Sequence, residues 1–213
     1  YYIEWIDEYY GIEHSEFDNI FITGTNGKTS TVDFLSQIFK YNCLDYSSSG
    51  TLGTYLNQKK LFNNHLTTED PLFIRRLMSL CKKEDIKNIF FEASSIGIDQ
   101  GRLKGLSINH AILTNISRDH IDYHGSFSEY AKVKNRIKES KIVTEESDPR
   151  KLWSMITGRD RREVINIALL DLPHRYQQVL KHDQLTFIND SKATNLTALK
   201  YALNRTSGPV SYT

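Results

Sequence analysis

The 213-residue chain carries 27 Lys and Arg against 26 Asp and Glu, so it has no strong field of either sign and nothing marks a nucleic-acid or membrane-surface partner. With 39% hydrophobic and 25% charged residues it has the make-up of a soluble globular protein, long enough for one good core or two small ones. Its two cysteines, Cys43 and Cys81, lie outside any CxxC or Cys/His cluster, which argues against a disulfide framework or zinc site; both read as buried small hydrophobes in a reducing compartment.

No apolar run approaches the length that spans a bilayer, and no basic-then-apolar leader opens the chain, so a cytoplasmic location is expected. The sequence starts at Tyr1 and stops at Gly208-Pro209-Val210-Ser211-Tyr212-Thr213, where an apolar strand would begin. Both ends read as cut.

Residues 1–17 are aromatic and acidic, a short helix with a turn at Gly11. The apolar run Ile20-Phe21-Ile22 then leads into Thr23-Gly24-Thr25-Asn26-Gly27-Lys28-Thr29-Ser30, and Val32, Phe34, Leu35, Ile38 and Phe39 follow at helical spacing. Strand, glycine turn and helix start in that order form a phosphate-binding context. The glycines let backbone N–H groups converge, the helix adds its positive end, Lys28 offsets phosphate charge, and the Thr29 hydroxyl can hold Mg²⁺. The turn is shorter than the general loop, with only Thr25 and Asn26 between Gly24 and Gly27. The site reads as one for a nucleoside triphosphate.

From Ser47 to Leu66 the chain is rich in Ser, Gly, Thr and Asn and reads as loops with a hairpin around Asn57-Gln58. Thr67-Thr68-Glu69-Asp70-Pro71 reads as a capped helix start before Leu72, Ile74, Leu77, Met78 and Cys81. Asn88–Glu92 and Ile108–Asn115 read as buried parallel strands with chemistry at their C-terminal ends, and Ser126–Glu129 as a capping box opening a helix to about Ile137. Residues 138–171 are hard to parse, with a helical patch at Leu152, Trp153, Met155 and Ile156 and an apolar run at Val164–Leu170. Thr186–Ile188 reads as a strand and Asn195–Leu203 as a helix. The alternation predicts an α/β fold, a mostly parallel sheet flanked by helices.

Glu92, at a strand end beside a phosphate loop, suits a Mg²⁺ ligand as well as it suits a solvated strand end. Residues 117–125 gather Asp119, His120, Asp122 and His124, without the softer third ligand that zinc would call for.

GTNGKTS is the form this loop takes in the ATP-dependent Mur ligases, the amide-forming enzymes of peptidoglycan precursor synthesis, with folylpolyglutamate synthases as near relatives. The stretches Phe91–Arg102 and Leu113–Gly125 resemble, in order and wording, the ligases of that family that add the third peptide residue. The resemblance runs from about residue 20 to residue 137 and implies the family's central domain, of P-loop NTPase-like fold.

By that resemblance, residues 24–30 and Lys28 above all handle ATP, and Thr29, Glu92 and His120 look like ligands of two Mg²⁺ ions. Lys134, four residues after Tyr130, matches the family's carbamylated lysine, a further Mg²⁺ ligand; a helical lysine read without the resemblance is a solvated charge. Thr67, Thr68, Ser94, Gln100 and Arg102 look like contacts to a UDP-muramoyl-dipeptide. Residues 172–175 and 187–195 look instead like the D-glutamate-adding ligases, with Arg175 and Asp190 matching nucleotide contacts and Lys192 and Thr194 matching positions near the reaction centre.

The family usually has a longer segment between Lys134 and Arg175, with a Gly-x-His-Asn sequence that contacts adenine, and a separate C-terminal domain for the incoming amino acid. Neither is present. The implied layout is a linker or the end of a preceding domain at 1–17, a central ATP-binding domain at 18–207 shortened between 138 and 171, and the start of a missing domain at 208–213. The implied activity adds an amino acid to UDP-N-acetylmuramoyl-L-alanyl-D-glutamate by way of an acyl phosphate, in a monomer. The alternatives are D-glutamate addition and a truncated chain that binds nucleotide without ligating.

Overall fold

The computed structural model describes residues 2–206 and 208–210, with Glu139 through its backbone alone. The chain divides into two compact units, Tyr1–Ala168 and Leu169–Thr213. The last three positions of the expected domain start at 208–213 lie outside the described residues.

The first unit is a seven-stranded sheet with helices. In chain order it comprises α1 (Tyr2–Tyr10), β1 (Asp18–Thr23), α2 (Lys28–Tyr41), β2 (Tyr46–Gly50), β3 (Gly53–Leu56), β4 (Lys59–Phe62), α3 (Pro71–Lys83), β5 (Asn88–Glu92), α4 (Ser95–Asp99), β6 (His110–Leu113), α5 (Ile121–His124), α6 (Phe127–Asn135), β7 (Ile142–Thr144) and α7 (Pro149–Thr157). The strand order is β4-β3-β2-β5-β1-β6-β7. β2, β5, β1, β6 and β7 run parallel, and β3 and β4 fold back antiparallel at one edge.

β1 lies between β5 and β6, so the chain leaves β1 on one side of the sheet and later returns on the other. Ligand crevices in open α/β sheets form at such a switch point, beyond the carboxyl ends of the strands. Here those ends are Thr23, Glu92 and Leu113. Ile20, Phe21 and Ile22 are buried together with Ile89, Phe90, Phe91, Ala111 and Ile112, the continuous apolar pattern of strands covered on both faces.

Helix boundaries follow their caps. The Asp70 side chain accepts from the N–H groups of Leu72 and Phe73, with Pro71 in the first turn, and the Ser126 hydroxyl accepts from Glu129 N–H. α1 packs against α3 through a buried ion pair: Arg75 is fully buried, its Nε donates to Asp7 Oδ1 at 2.8 Å, and its Nη2 donates to Lys104 O at 2.8 Å. Burial pushes the Asp7 carboxyl up, but hydrogen bonds and charge from Arg75 and His14 outweigh it and hold the group below its ordinary range.

The second unit holds an antiparallel pair, β8 (Gln177–His182) and β9 (Leu185–Asn189), followed by α8 (Leu196–Asn204). Asn195 caps α8 through Ala198 N–H.

Two expectations need correction, and the stretch that resisted parsing resolves. Tyr46–Gly50 is a strand fully buried between β3 and β5, not a loop: tertiary context overrides the weak strand propensity of Ser and Gly, and Ser47 Oγ donates to Tyr55 O at 2.8 Å while Ser49 Oγ pairs with Thr54 Oγ1 at 3.0 Å. Gly53–Leu56 and Lys59–Phe62 are the two strands of the hairpin expected around Asn57-Gln58. Inside the stretch that resisted parsing, Ile142–Thr144 adds a parallel strand beside β6, whereas Val164–Leu170 forms none; it starts at the end of a 3₁₀ turn, Arg161–Val164, and Leu170 is exposed. Cys43 is exposed at a positive φ just past α2, although Cys81 is buried, with its thiol pushed up to about 12 by burial.

Removing Asp7 should leave the Arg75 guanidinium buried without its carboxylate. Asp7→Ala should therefore lower unfolding free energy by about 3 kcal/mol, read by denaturant titration, with the larger part of the loss suppressed in the double variant with Arg75→Met.

Candidate functional site

The loop after β1 is shaped by its two glycines. Gly24 has φ +149°, and a Cβ there would overlap Thr114 Oγ1; Gly27 has φ +88° and leads directly into α2. The first N–H groups of α2, orphaned by helix geometry, lie at the end of this loop. Lys28 folds back over it, its Nζ donating to Gly24 O at 2.8 Å and Thr25 O at 3.0 Å.

Thr29 Oγ1 donates to Glu92 Oε2 at 3.0 Å, joining the start of α2 to the end of β5. Glu92 is 2% exposed, and Thr51 holds it from the other side, donating from N–H to Oε1 at 2.9 Å and from Oγ1 to Oε2 at 3.1 Å. Burial raises the Glu92 carboxyl; the Thr51 and Thr29 hydrogen bonds and the charge of Lys28 oppose it without prevailing.

All five positions matched to the muramoyl peptide are linked to this carboxylate's surroundings. Thr67 Oγ1 meets Thr51 Oγ1 at 3.2 Å, and Thr68 Oγ1 donates to Glu92 main-chain O at 2.7 Å and receives Ser94 N–H at 2.9 Å. Arg102 Nη1 donates to Thr68 O at 2.7 Å, and its Nε donates to Gln100 Oε1 at 3.0 Å. Thr68 is itself buried, its hydroxyl engaged by protein groups, whereas Gln100 is exposed and Arg102 partly so.

Lys134 is 1% exposed on α6. Its Nζ donates to Thr23 Oγ1 at 3.1 Å and Gly24 O at 2.9 Å, and lies 5.1 Å from the centre of the Tyr130 ring. Burial first, and then the charge of Lys28, lower this amine to about 7, with Asp119 pulling the other way. Tyr130 is buried too, and its phenol meets Thr25 Oγ1 at 2.7 Å. His120 sits at φ +49° at the head of α5, with Nε2 3.8 Å from Asp119 Oδ2, and is half exposed.

The Thr29 hydroxyl and the buried Glu92 carboxylate, bonded to each other, are oxygen donors of the kind a hard divalent cation takes beside phosphate, and the side-chain partner recorded for the His120 imidazole is Asp119. Among the described residues no three His, Cys, Asp or Glu side chains gather into a metal-binding group, and no helix is long and apolar enough to cross a membrane.

Arg175, Asp190 and Lys192 belong to the second unit. There Asp190 Oδ1 accepts Tyr176 N–H at 2.8 Å and Lys192 N–H donates to His174 O at 3.1 Å, so the two family-like stretches fold against each other; the Lys192 side chain is exposed. Sequence reasoning assigned no role to Thr51, Thr114, Asn115 or the Tyr130 hydroxyl. Its only signals were Thr51 standing between two glycines and Asn115 ending an apolar run.

The sequence profile of the Mur ligase middle domain matches residues 22–146. The chain is 36% identical over 128 residues to the UDP-N-acetylmuramoyl-L-alanyl-D-glutamate--2,6-diaminopimelate ligase of Bacteroides thetaiotaomicron, covering 60% of this chain and 26% of that one. It is 31% identical over 188 residues to the UDP-N-acetylmuramyl-tripeptide synthetase 2 of Oceanobacillus iheyensis, covering 87% and 35%. A solved structure of a UDP-N-acetylmuramoyl-L-alanyl-D-glutamate--2,6-diaminopimelate ligase superposes with a TM-score of 0.57 and 27% identity over 72% of this chain and 31% of that one. The chain thus spans between a quarter and about a third of the curated relatives it matches here.

The Lys134 environment makes stability depend on pH. Between about 7, where the folded amine gives up its proton, and 10.5, the ordinary lysine value, the unfolded chain binds more protons than the folded one, so stability should rise with pH across that window. Lys134→Met should flatten the rise and raise the melting temperature near pH 7, read by thermal scans at stepped pH.

Proposed function

Since the chain belongs to the Mur ligase family through its middle domain, we propose that it is the nucleotide-handling part of an ATP-dependent ligase that extends UDP-N-acetylmuramoyl-L-alanyl-D-glutamate by one amino acid. The observation that carries this reading is Glu92. Its carboxylate is bonded to the phosphate-loop helix through Thr29, and its carbonyl to the peptide-substrate positions through Thr68. One residue thereby sets the spacing between the two reactants.

A carboxylate is a poor acyl donor until phosphorylated, which is why amide formation calls for ATP. In this reading the substrate's terminal carboxylate attacks the γ-phosphorus, the bond to the bridging oxygen breaks, and an acyl phosphate and ADP result; the incoming amine then displaces phosphate. Lys28 leaves Gly24 O and Thr25 O to meet the phosphate oxygens, and α2 turns its positive end toward them. Mg²⁺, when bound, supplies further positive charge against the transferring group. Thr29, Glu92 and His120 would hold it.

Lys134 would complete the set as a carbamate. A neutral amine attacks CO₂, forming an N–C bond and losing a proton, and the product is an anionic oxygen ligand. The buried setting that lowers Lys134 to about 7 favours the neutral amine this requires. Gln100 and Arg102 would meet the muramoyl peptide, with Thr67, Thr68 and Ser94 shaping their bed.

The likeness of residues 172–195 to D-glutamate-adding ligases favours a second reading, addition of D-glutamate to UDP-N-acetylmuramoyl-L-alanine. The third-residue reading is preferred because the Oceanobacillus alignment, at 87% of the chain, extends into the second unit. It further implies a monomer at work in the cytoplasm, with the amino acid as its other substrate.

ADP release by the purified chain should be stimulated by the muramoyl dipeptide and not by the muramoyl-alanine nucleotide, and Lys28→Ala should cut the stimulated rate at least about a hundredfold. ATP binding with no turnover on either substrate would sink the ligase reading of this chain and leave a nucleotide-binding protein.

A further inference from the structure

We infer that Asn115 is a positioning residue that sets the shape of the phosphate loop, acting on the bound nucleotide through the main chain of Asn26. This rests on the nucleotide-binding reading above and goes beyond it, since nothing in the motif or the ligand set assigns Asn115 a task.

With only two residues between its glycines, the loop has little backbone of its own with which to satisfy its polar groups, and a neighbouring segment does so. Asn26 N–H donates to Asn115 Oδ1 at 3.0 Å, and Asn115 Nδ2 donates to Asn26 O at 3.0 Å. Thr114 Oγ1 donates to the same carbonyl at 2.5 Å, and Thr25 N–H donates to Asn115 main-chain O at 2.9 Å. A carboxamide is the short side chain that offers a donor and an acceptor side by side. Aspartate keeps the acceptor and lacks the donor; alanine lacks both.

The consequence is directional. Held by Asn115 and Thr114, the Asn26 carbonyl is fixed toward the end of β6. Released, that oxygen can rotate toward the concave face of the loop, where it would oppose phosphate oxygens instead of leaving the face to N–H groups and Lys28.

The fold supplies a control at the other end of the same strand. Asn109, just before β6, makes a comparable pair: its Nδ2 donates to Asp18 Oδ1 at 3.0 Å and its Oδ1 accepts Asn19 N–H at 3.3 Å. It lies at the end of the strands opposite the loop, so it measures what such a clamp does for the sheet alone.

The test is calorimetric titration of ATP with Mg²⁺ into the full chain, alongside melting temperatures without nucleotide, for the wild type, Asn115→Ala, Asn115→Asp, Asn115→Ser and Asn109→Ala. Asn115→Ala should weaken ATP binding at least about tenfold, and Asn109→Ala should lower the melting temperature while leaving affinity within about twofold. Asn115→Asp, close to isosteric but anionic beside the loop, should also weaken binding, and Asn115→Ser, uncharged and too short to hold both groups, carries the test if the alanine variant fails to fold. Wild-type affinity in the Asn115 variants, or a loss that Asn109→Ala reproduces at equal loss of melting temperature, overturns the inference alone. A wild-type chain that does not bind ATP overturns the nucleotide reading as well.

Discussion

Three segments at the carboxyl edge of the sheet are tied to one buried carboxylate. Glu92 ends β5 with both oxygens engaged, by Thr29 from the phosphate-loop helix and by Thr51 from the β2–β3 turn, while its main-chain carbonyl receives Thr68. Three segments distant in sequence are thereby fixed to one another by hydrogen bonds that accept no other register. A longer or shorter β5 would break all of them together, because a one-residue slip turns the side chain to the opposite face.

That arrangement is costly in isolation. Glu92 and Lys134 are both nearly inaccessible to water, and burial disfavours the charged form of each. Lys134 bonds to a hydroxyl and a carbonyl, and Glu92 to hydroxyls and an amide; the opposite charges of Asp119 and Lys28 act on them without outweighing burial. Strain of this kind persists where the rest of the fold over-determines it. Here the apolar strands around Phe21, Phe91 and Ile112 do so, together with the Asp7–Arg75 ion pair that joins α1 to α3.

How much of this could be read beforehand follows from where each signal lives. Local chemistry was legible: the glycine turn into α2, the Asp70 and Ser126 caps, and the apolar runs of β1 and β5 all depend on residues close in sequence. β2 was not, because Tyr46-Ser47-Ser48-Ser49-Gly50 has a loop's composition and is made a strand by partners at Ile89–Phe91 and Gly53–Leu56. β7 is three residues long and gives no periodicity to detect. Within the site, the loop stood out from its own residues, Glu92 suited a ligand no better than a solvated strand end, and Lys134 was marked only by the family resemblance; Thr51 and Asn115, which hold Glu92 and the loop, were not marked at all. Supporting side chains are ordinary polar residues whose meaning arises only from the contact, which no spacing rule encodes.

The order of the strands also governs when the site can exist during synthesis. β1 is made before either of its two sheet neighbours, residues 88–92 and 110–113, and the clamp on its loop comes from residues 114 and 115. A nascent chain therefore carries the whole glycine turn through the ribosome's exit long before anything can give it form. Until some ninety further residues have followed, the most recognisable motif in the protein lacks the sheet partners and the clamp that shape it.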